Sequence, residues 1–368
     1  MSARPSDALH VLIATPYGKH GKGGIDRMMD VVDQQARAHA DGAVQLRYLI
    51  TRGHGALVPS IFIRFIPSIF YLFYLILIWK VDVFHVNIVQ RGSTLRKLTL
   101  CYVARALGVP YVLHLHGSGY RQYWNSSGRF LSRRIQETFN RAAQVVVLGQ
   151  VWADFVSGQA AAARISILPN ATVAPRQGRV HRNGGEPAHI LFLGRLGERK
   201  GVPELIQALI QLGAAPSWRA TLAGDGQVRE AREQIAAAGL SDRVEVPGWA
   251  GPDEVERLLA SADILVLPSY NENLPLSVIE GMAHGLAVVT TPVGALPDII
   301  TQGETGLLCP PGDKDALAEA LALLVGDAEL RARLGHSARA FHAQHLSADA
   351  YFPRLYTIWT GASLHARR

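Results

Sequence analysis

The sequence predicts an α/β protein built from two doubly wound, Rossmann-like domains, and three observations lead there. A chain of 368 residues is long enough for two domains with full cores. Hydrophobic content of 48% against 18% charged residues excludes a largely disordered protein. Strand, glycine turn and helix then recur along the chain, which is the pattern of a parallel sheet with crossover helices.

In the first half, His10 to Ala14 reads as a strand, followed by a basic, glycine-rich loop from Thr15 and a helix from about Ile25. Gly23 and Gly24 stand at that helix start, where free amides attract an anion. No dinucleotide fingerprint lies in register with it. Tyr111 to Leu115 reads as a buried strand that runs on into His116, Gly117 and Ser118. His114 and His116 project from one strand face, but no third ligand follows at a persuasive spacing, so no metal site is expected. Ala174 to Pro187, rich in Arg, Gly, Pro and His, reads as the linker. The expected boundaries are a first domain over 1–172, a linker over 173–187, a second domain over 188–345 and a terminal helix over 346–368.

Charge separates the halves. Residues 1–187 hold 22 Lys plus Arg against 9 Asp plus Glu, a balance of +13, and the remainder hold 15 against 21, or −6. A basic half suits nucleic acid, an anionic membrane or phosphorylated substrates. Nucleic acid is set aside, because no helix-turn-helix, zinc finger or RNP-like strand accompanies the charge. Grease accompanies it instead: Ile61 to Trp79 is apolar apart from Arg64, Pro67 and Ser68. Spanning a bilayer needs about 20 apolar residues, and the uninterrupted run here is only Ile69 to Trp79. The helix is therefore either buried in the first domain or laid in the headgroup boundary with Tyr71, Tyr74 and Trp79 as anchors. The cations Arg91, Arg96, Lys97, Arg121, Arg129, Arg133 and Arg134 that follow favour an anionic membrane surface. Ser93 to Lys97 reads as a helix start whose amides, hydroxyls and cations, Ser93, Arg96 and Lys97 among them, suit an acceptor diphosphate. Two cysteines, Cys101 and Cys309, give no disulfide framework, and the first ten residues have no apolar signal core; both point to the cytoplasm.

The second half carries the denser signal. The strand Ile190 to Leu193 enters Gly194-Arg195-Leu196-Gly197-Glu198-Arg199-Lys200-Gly201, so Arg195 and Lys200 stand at the carboxyl end of a strand, where open α/β sheets bind ligands. Arg as a fork and Lys as a point charge suit a pyrophosphate. Two further strands end in Gly224-Asp225-Gly226 and in Pro247-Gly248-Trp249. A fourth, Ile264 to Leu267, leads to Glu272-Asn273-Leu274-Pro275-Leu276 and a helix that holds Glu280 and closes at Gly285. Two carboxylates flanking a helix N-terminus suit the hydroxyls on either side of a bound phosphate. Trp249 is open to two readings, a stacking surface for a base or an indole in the core.

These motifs together, from Gly194-Arg195-Leu196 with Lys200-Gly201, through Ala223-Gly224-Asp225-Gly226, to Glu272 through Glu280 with Gly281-Met282-Ala283-His284-Gly285, resemble the retaining glycosyltransferases of family 4. The resemblance covers residues 188 to 345 most fully. It implies the GT-B fold, two Rossmann-like domains facing a cleft, and a terminal helix around Tyr351 to Trp359 that returns to the first domain. It implies that Arg195 and Lys200 bind the donor diphosphate, Glu280 the ribose, and Glu272 and His116 the transferred sugar. Gly23, Gly24, Gly194, Gly248, Trp249, Asn273, Leu274, Pro275 and Leu276 complete the donor site, and Ser118 joins Ser93, Arg96 and Lys97 on the acceptor side. No cofactor or metal is expected beside the nucleotide-sugar donor. The expected activity is hexosyl transfer from a UDP- or GDP-sugar to a polyprenyl-diphosphate-linked acceptor in bacterial surface polysaccharide assembly, at the inner face of the plasma membrane. The alternatives are a soluble acceptor, a sugar-nucleotide 2-epimerase, and a non-catalytic membrane subunit that binds nucleotide sugars.

Overall fold

In the computed structural model, which describes residues 8–16, 23–39, 42–51, 58–176, 186–213 and 217–366, the chain divides into two units. The first comprises Met1–Ala171 with Ala348–Arg368, and the second Thr172–Ser347.

In the first unit, strands β1 (Leu9–Thr15), β2 (Val44–Ile50), β3 (Val83–Ile88), β4 (Tyr111–Leu115), β5 (Gln144–Val147) and β6 (Ile165–Ile167) alternate with helices. These helices are α1 (Gly24–His39), α2 (Val58–Trp79), α3 (Gly92–Ala106), α4 (Tyr120–Asn125), α5 (Arg129–Asn140) and α6 (Gln150–Gln159). The strands pair in parallel in the order β2-β1-β3-β4-β5-β6. Every residue of β3 and β4 is buried, as a parallel sheet covered on both faces requires. Phe84, Val86, Ile88, Leu113 and Leu115 serve one apolar core on one side, together with α2, α3 and α5. Order reverses between β1 and β3, and ligands of such sheets bind outside the carboxyl ends at that switch.

Helix α2 divides the greasy segment into a buried face and an exposed one. It runs unbroken through Pro67, earlier than the apolar run alone suggests. Phe65, Leu72, Leu75 and Ile76 recur at helical spacing and pack into the core, and burying Leu72 and Leu75 contributes about 1.5 to 3 kcal/mol each. The other face leaves Ile66, Phe70, Tyr71, Phe73, Tyr74, Leu77 and Ile78 exposed, Phe70 at 70%. Among the described residues, no helix is long and apolar enough to cross a membrane.

The second unit has strands β7 (Ala188–Leu193), β8 (Trp218–Ala223), β9 (Val244–Gly248), β10 (Ile264–Leu267), β11 (Ala287–Thr290) and β12 (Leu307–Leu308). Its helices are α7 (Val202–Leu212), α8 (Val228–Ala237), α9 (Pro252–Ser261), α10 (Leu276–Ala283), α11 (Lys314–Gly326) and α12 (Ala328–Phe341). The order is β12-β11-β10-β7-β8-β9, again parallel, with the switch between β7 and β10. Asp313 and Asp327 cap α11 and α12 by accepting the amides of Ala316 at 2.9 Å and Leu330 at 2.8 Å, a contribution of about 1 kcal/mol each.

The last helix, α13 (Ala348–Ala366), belongs to the first unit and packs on α1, β3 and β4. Tyr351, Phe352, Leu355 and Trp359 form its buried stripe.

Candidate functional site

At the switch of the second unit, the loops after β7 and β10 meet. Gly201 takes the left-handed conformation, φ 70°, and a Cβ there would stand 2.0 Å from the carbonyl oxygen of Pro268. Only glycine lets the two backbones approach so closely. The approach brings the Lys200 ammonium onto Oε1 of Glu272, both side chains nearly buried. Arg199 Nη1 lies 3.9 Å from the same oxygen and donates to the Asn271 carbonyl at 3.0 Å. Two cations thus share one carboxylate, which leaves positive charge for a diphosphate. Arg195, by contrast, is largely exposed and only 3.7 Å from Asp225, a pair of little stabilising value.

Glycine spacing elsewhere serves loop stacking. Cβ atoms at Gly224 and Gly226 would meet the carbonyl oxygens of Gly194 at 1.8 Å and Leu196 at 2.3 Å. Backbone bonds from Gly194 N to Ala223 O at 3.1 Å, Leu196 N to Asp225 O at 2.6 Å and Gly224 N to Gly248 O at 2.7 Å lace the three loops together. Trp249, just past Gly248, is 59% exposed, so the core reading of its indole does not hold and a surface for stacking remains.

Beyond Glu272, Asn273 and Leu274 are buried, and Pro275, extended at φ −72°, precedes α10, which Leu276 opens. The first-turn amides of that helix have no intrahelical acceptors, as anion binding requires. Glu280 is half-buried within α10, and its carbonyl accepts from His284 Nδ1 at 2.8 Å. Sequence reasoning missed the loop that seats this segment: at Gly294, φ 60°, a Cβ would be 2.3 Å from Glu272 O and 2.4 Å from Asn273 O. The Ala295 amide then donates to Asn273 O at 2.8 Å. Val293-Gly294-Ala295 follows a strand with a glycine turn, which is the signal that could have found it.

The first unit's switch has a different chemistry. Gly23 precedes α1 and Gly24 opens it; a Cβ at Gly23 would be 3.2 Å from Oδ2 of buried Asp26. Most of the basic loop before it, Lys19 and Lys22 included, lies outside the described residues. Lys97 is fully buried and donates to Thr51 Oγ1 at 2.6 Å, and that hydroxyl donates to the Thr15 carbonyl at 2.8 Å. Burial, with Arg96 beside it, pushes the Lys97 pKa down to about 7 against the opposing pull of Cys101 and Asp26. The expected grip of Ser93, Arg96 and Lys97 on one anion is therefore divided. Lys97 turns inward onto Thr51, Arg96 is buried as well, and half-buried Ser93 lies inside α3, where Arg91 occupies the cap position with no side-chain bond.

Half-buried His116 lies just beyond β4, near half-buried Ser118. Its Nε2 is 2.9 Å from Asn87 Oδ1, and the Asn87 amide donates to the Ala14 carbonyl at 3.2 Å. Beneath it, the His114 ring centroid is 4.0 Å from that of His116 and 5.4 Å from that of His85. Trp359 of α13 donates to His85 Nδ1 at 3.1 Å. Burial, then the neighbouring His85, pushes His116 down to about 3, and burial holds His85 at about 4. The stack is neutral at pH 7. Among the described residues, no group of three or more His, Cys, Asp or Glu could hold a metal ion.

Comparison with known proteins concerns the family and the fold. Residues 175–341 match the family model for glycosyl transferases group 1, and residues 10–171 match a glycosyl transferase 4-like domain. A 2-deoxystreptamine N-acetyl-D-glucosaminyltransferase of Streptomyces fradiae is 31% identical over 272 residues, 68% of this chain and 64% of that one, so the chain spans just under two thirds of that relative's length. A lipopolysaccharide core biosynthesis glycosyltransferase of Rhizobium meliloti is 35% identical over 146 residues, 39% of this chain and 42% of that one. Among solved structures, HepE of Anabaena, in complex with UDP and glucose, superposes with a TM-score of 0.74 at 19% identity over 96% of this chain and 99% of its own. That likeness concerns the fold, the two Rossmann-like domains of GT-B glycosyltransferases.

Proposed function

The chain belongs to the group 1 glycosyltransferases, and on that premise we propose that it moves a hexosyl unit from a UDP- or GDP-sugar to a polyprenyl-diphosphate-linked sugar acceptor in bacterial surface polysaccharide assembly. Transfer is retaining and needs neither metal nor cofactor. The donor diphosphate lies at the switch of the second unit, held by Lys200, Arg195 and the amides at the start of α10. Excess positive charge over Glu272 supports this, as does the UDP named in the HepE complex. Glu280 takes the ribose, and Glu272 and His116 take hydroxyls of the transferred sugar. With Glu272 committed to Lys200, no side chain is assigned as nucleophile; the leaving phosphate takes the acceptor proton on the same face. The protein's contribution is charge fixed in advance around that phosphate.

The observation that carries the lipid acceptor is the exposed face of α2. An apolar strip of this size is uncommon on a monomer unless it meets a membrane or a partner. Phe130 on α5 is exposed as well, with Arg129, Arg133 and Arg134 around it, and Lys80 stands exposed at the end of α2. Aromatic rings beside cations suit the headgroup boundary of an anionic leaflet, here the cytoplasmic face of the plasma membrane. Phe70→Asp and Phe73→Asp should each lose cosedimentation with anionic vesicles at low salt while keeping the wild-type Tm. Leu75→Asp, at a fully buried position, should unfold. Wild-type protein that ignores such vesicles would remove the lipid acceptor.

A second reading has one finding in its favour: the Streptomyces fradiae relative is named for transfer to 2-deoxystreptamine, which suits an acceptor free in solution. On that reading vesicles have no effect on turnover.

A further inference from the structure

We propose that Asn87 is a positioning residue that fixes His116 in its Nε2–H form, so that His116 meets the donor sugar as a hydrogen-bond acceptor through Nδ1 and not as an acid. The inference rests on the reading of His116 as a contact to the transferred sugar. The Asn87 amide is oriented by its neighbours. Ala14 O is a carbonyl and accepts only, so the group 3.2 Å from it must be the Asn87 NH2. The Asn87 carbonyl oxygen consequently faces His116 Nε2 at 2.9 Å, and an oxygen there demands a proton on that nitrogen.

Topology gives the arrangement its rigidity. Asn87 and His85 are two apart on β3, His114 and His116 are two apart on and just past β4, and Asn87 pairs with His114 across the ladder. One sheet face therefore presents all four side chains, and α13 covers it. The His116 amide donates to Ile88 O at 3.0 Å, which ties its backbone to β3 as well. Further in, Trp359 Nε1–H donates a hydrogen bond to His85 Nδ1, so His85 is also held in the Nε2–H form. Among the described residues, the titratable groups facing His116 from the packed elements are His85 and His114, both buried and both held neutral by that burial. A single proton resides on the His116 ring, and Asn87 chooses its nitrogen.

An imidazole that accepts through Nδ1 orients a sugar hydroxyl by taking its proton in a hydrogen bond. It cannot protonate the leaving group, whose charge is left to Lys200 and the helix amides. An imidazole with the opposite tautomer would donate where it should accept.

The test is a long-range ¹H–¹⁵N correlation spectrum of histidine-labelled full-length protein, with the His116 signals assigned by their loss in His116→Gln. The wild type should show His116 as the neutral Nε2–H tautomer at pH 7. Asn87→Leu should give a mixture of tautomers and a kcat lowered by about tenfold or more with a smaller change in KM for the donor. Asn87→Asp, which keeps an acceptor oxygen at the same place, should restore the Nε2–H form. A wild-type His116 protonated on Nδ1 overturns the proposal, even if Asn87→Leu fails to fold. So does an Asn87→Leu protein with unchanged tautomer and kcat. Full turnover in His116→Gln, with the wild-type tautomer as expected, would instead sink the reading of His116 as a sugar contact and leave the assignment of Asn87 standing.

Discussion

At its switch, the Thr172–Ser347 unit gathers charge: Lys200 and Arg199 converge on Glu272, ahead of a helix N-terminus. The other unit gathers, on β3 and β4 beside its own switch, nitrogen that carries no charge at pH 7: buried His85, His114 and Asn87 and half-buried His116. Both lie on parallel sheets, so the difference is one of side chains and not of fold. A fixed excess of positive charge suits a diphosphate, whereas neutral acceptors held in one tautomer suit hydroxyl groups. On the proposed reading, the second unit's charge serves the leaving group and the first unit's neutral acceptors serve the sugar hydroxyls.

The largest effect should follow from removing charge where charge is gathered. Lys200→Ala should lower turnover by about 10²- to 10³-fold, as loss of one preorganised donor to a developing anion does. Arg195→Lys should lower it by a smaller factor, because Arg195 is exposed and loosely paired. Steady-state kinetics of purified variants checks both, and near-wild-type turnover in Lys200→Ala would erase the contrast between the two switches.

A smaller effect, on stability, sharpens the other side. Lys97 is held at about 7, below its ordinary 10.5, because burial disfavours its charged form. Between those two values the unfolded chain binds a proton that the folded chain lacks, so stability rises with pH across that window. Below the folded value both forms are protonated and the penalty is whole. Lys97→Met should therefore exceed the wild type in stability most at pH 6, with the gap narrowing towards pH 10 by at most about 1.4 kcal/mol per pH unit. Urea denaturation at several pH values checks this. A gap independent of pH would mean that Lys97 does not titrate in the folded protein near neutrality.

The two switches also differ in how far they could be read from sequence. Arg195, Lys200, Glu272 and Glu280 lie in short segments where glycines and charges sit close together, and the alternation of strand and helix around them fixed the fold class. Local patterns do not report burial, however. Lys97 reads as a surface cation beside Arg96, yet its ammonium ends on Thr51, because α3 turns that face towards the sheet. Likewise, the periodicity of Ile61 to Trp79 could not separate a buried helix from an interfacial one, since both faces are apolar and only packing distinguishes Leu75 from Phe70. Partners far apart in the chain were the least legible. Trp359 meets His85 across 274 residues, and Gly294 meets Glu272 through backbone alone, a contact that leaves no mark in side-chain chemistry.

The central claim, a nucleotide-sugar donor held at Lys200, is tested most directly by thermal unfolding of the wild type and Lys200→Ala against a panel of UDP- and GDP-sugars. A ligand at 100 times its Kd stabilises the folded state by about 2.7 kcal/mol. The account predicts that sugars of one base raise the Tm of the wild type by several degrees and leave Lys200→Ala almost unmoved. Equal shifts in both proteins, or no shift with any member of the panel, would contradict it.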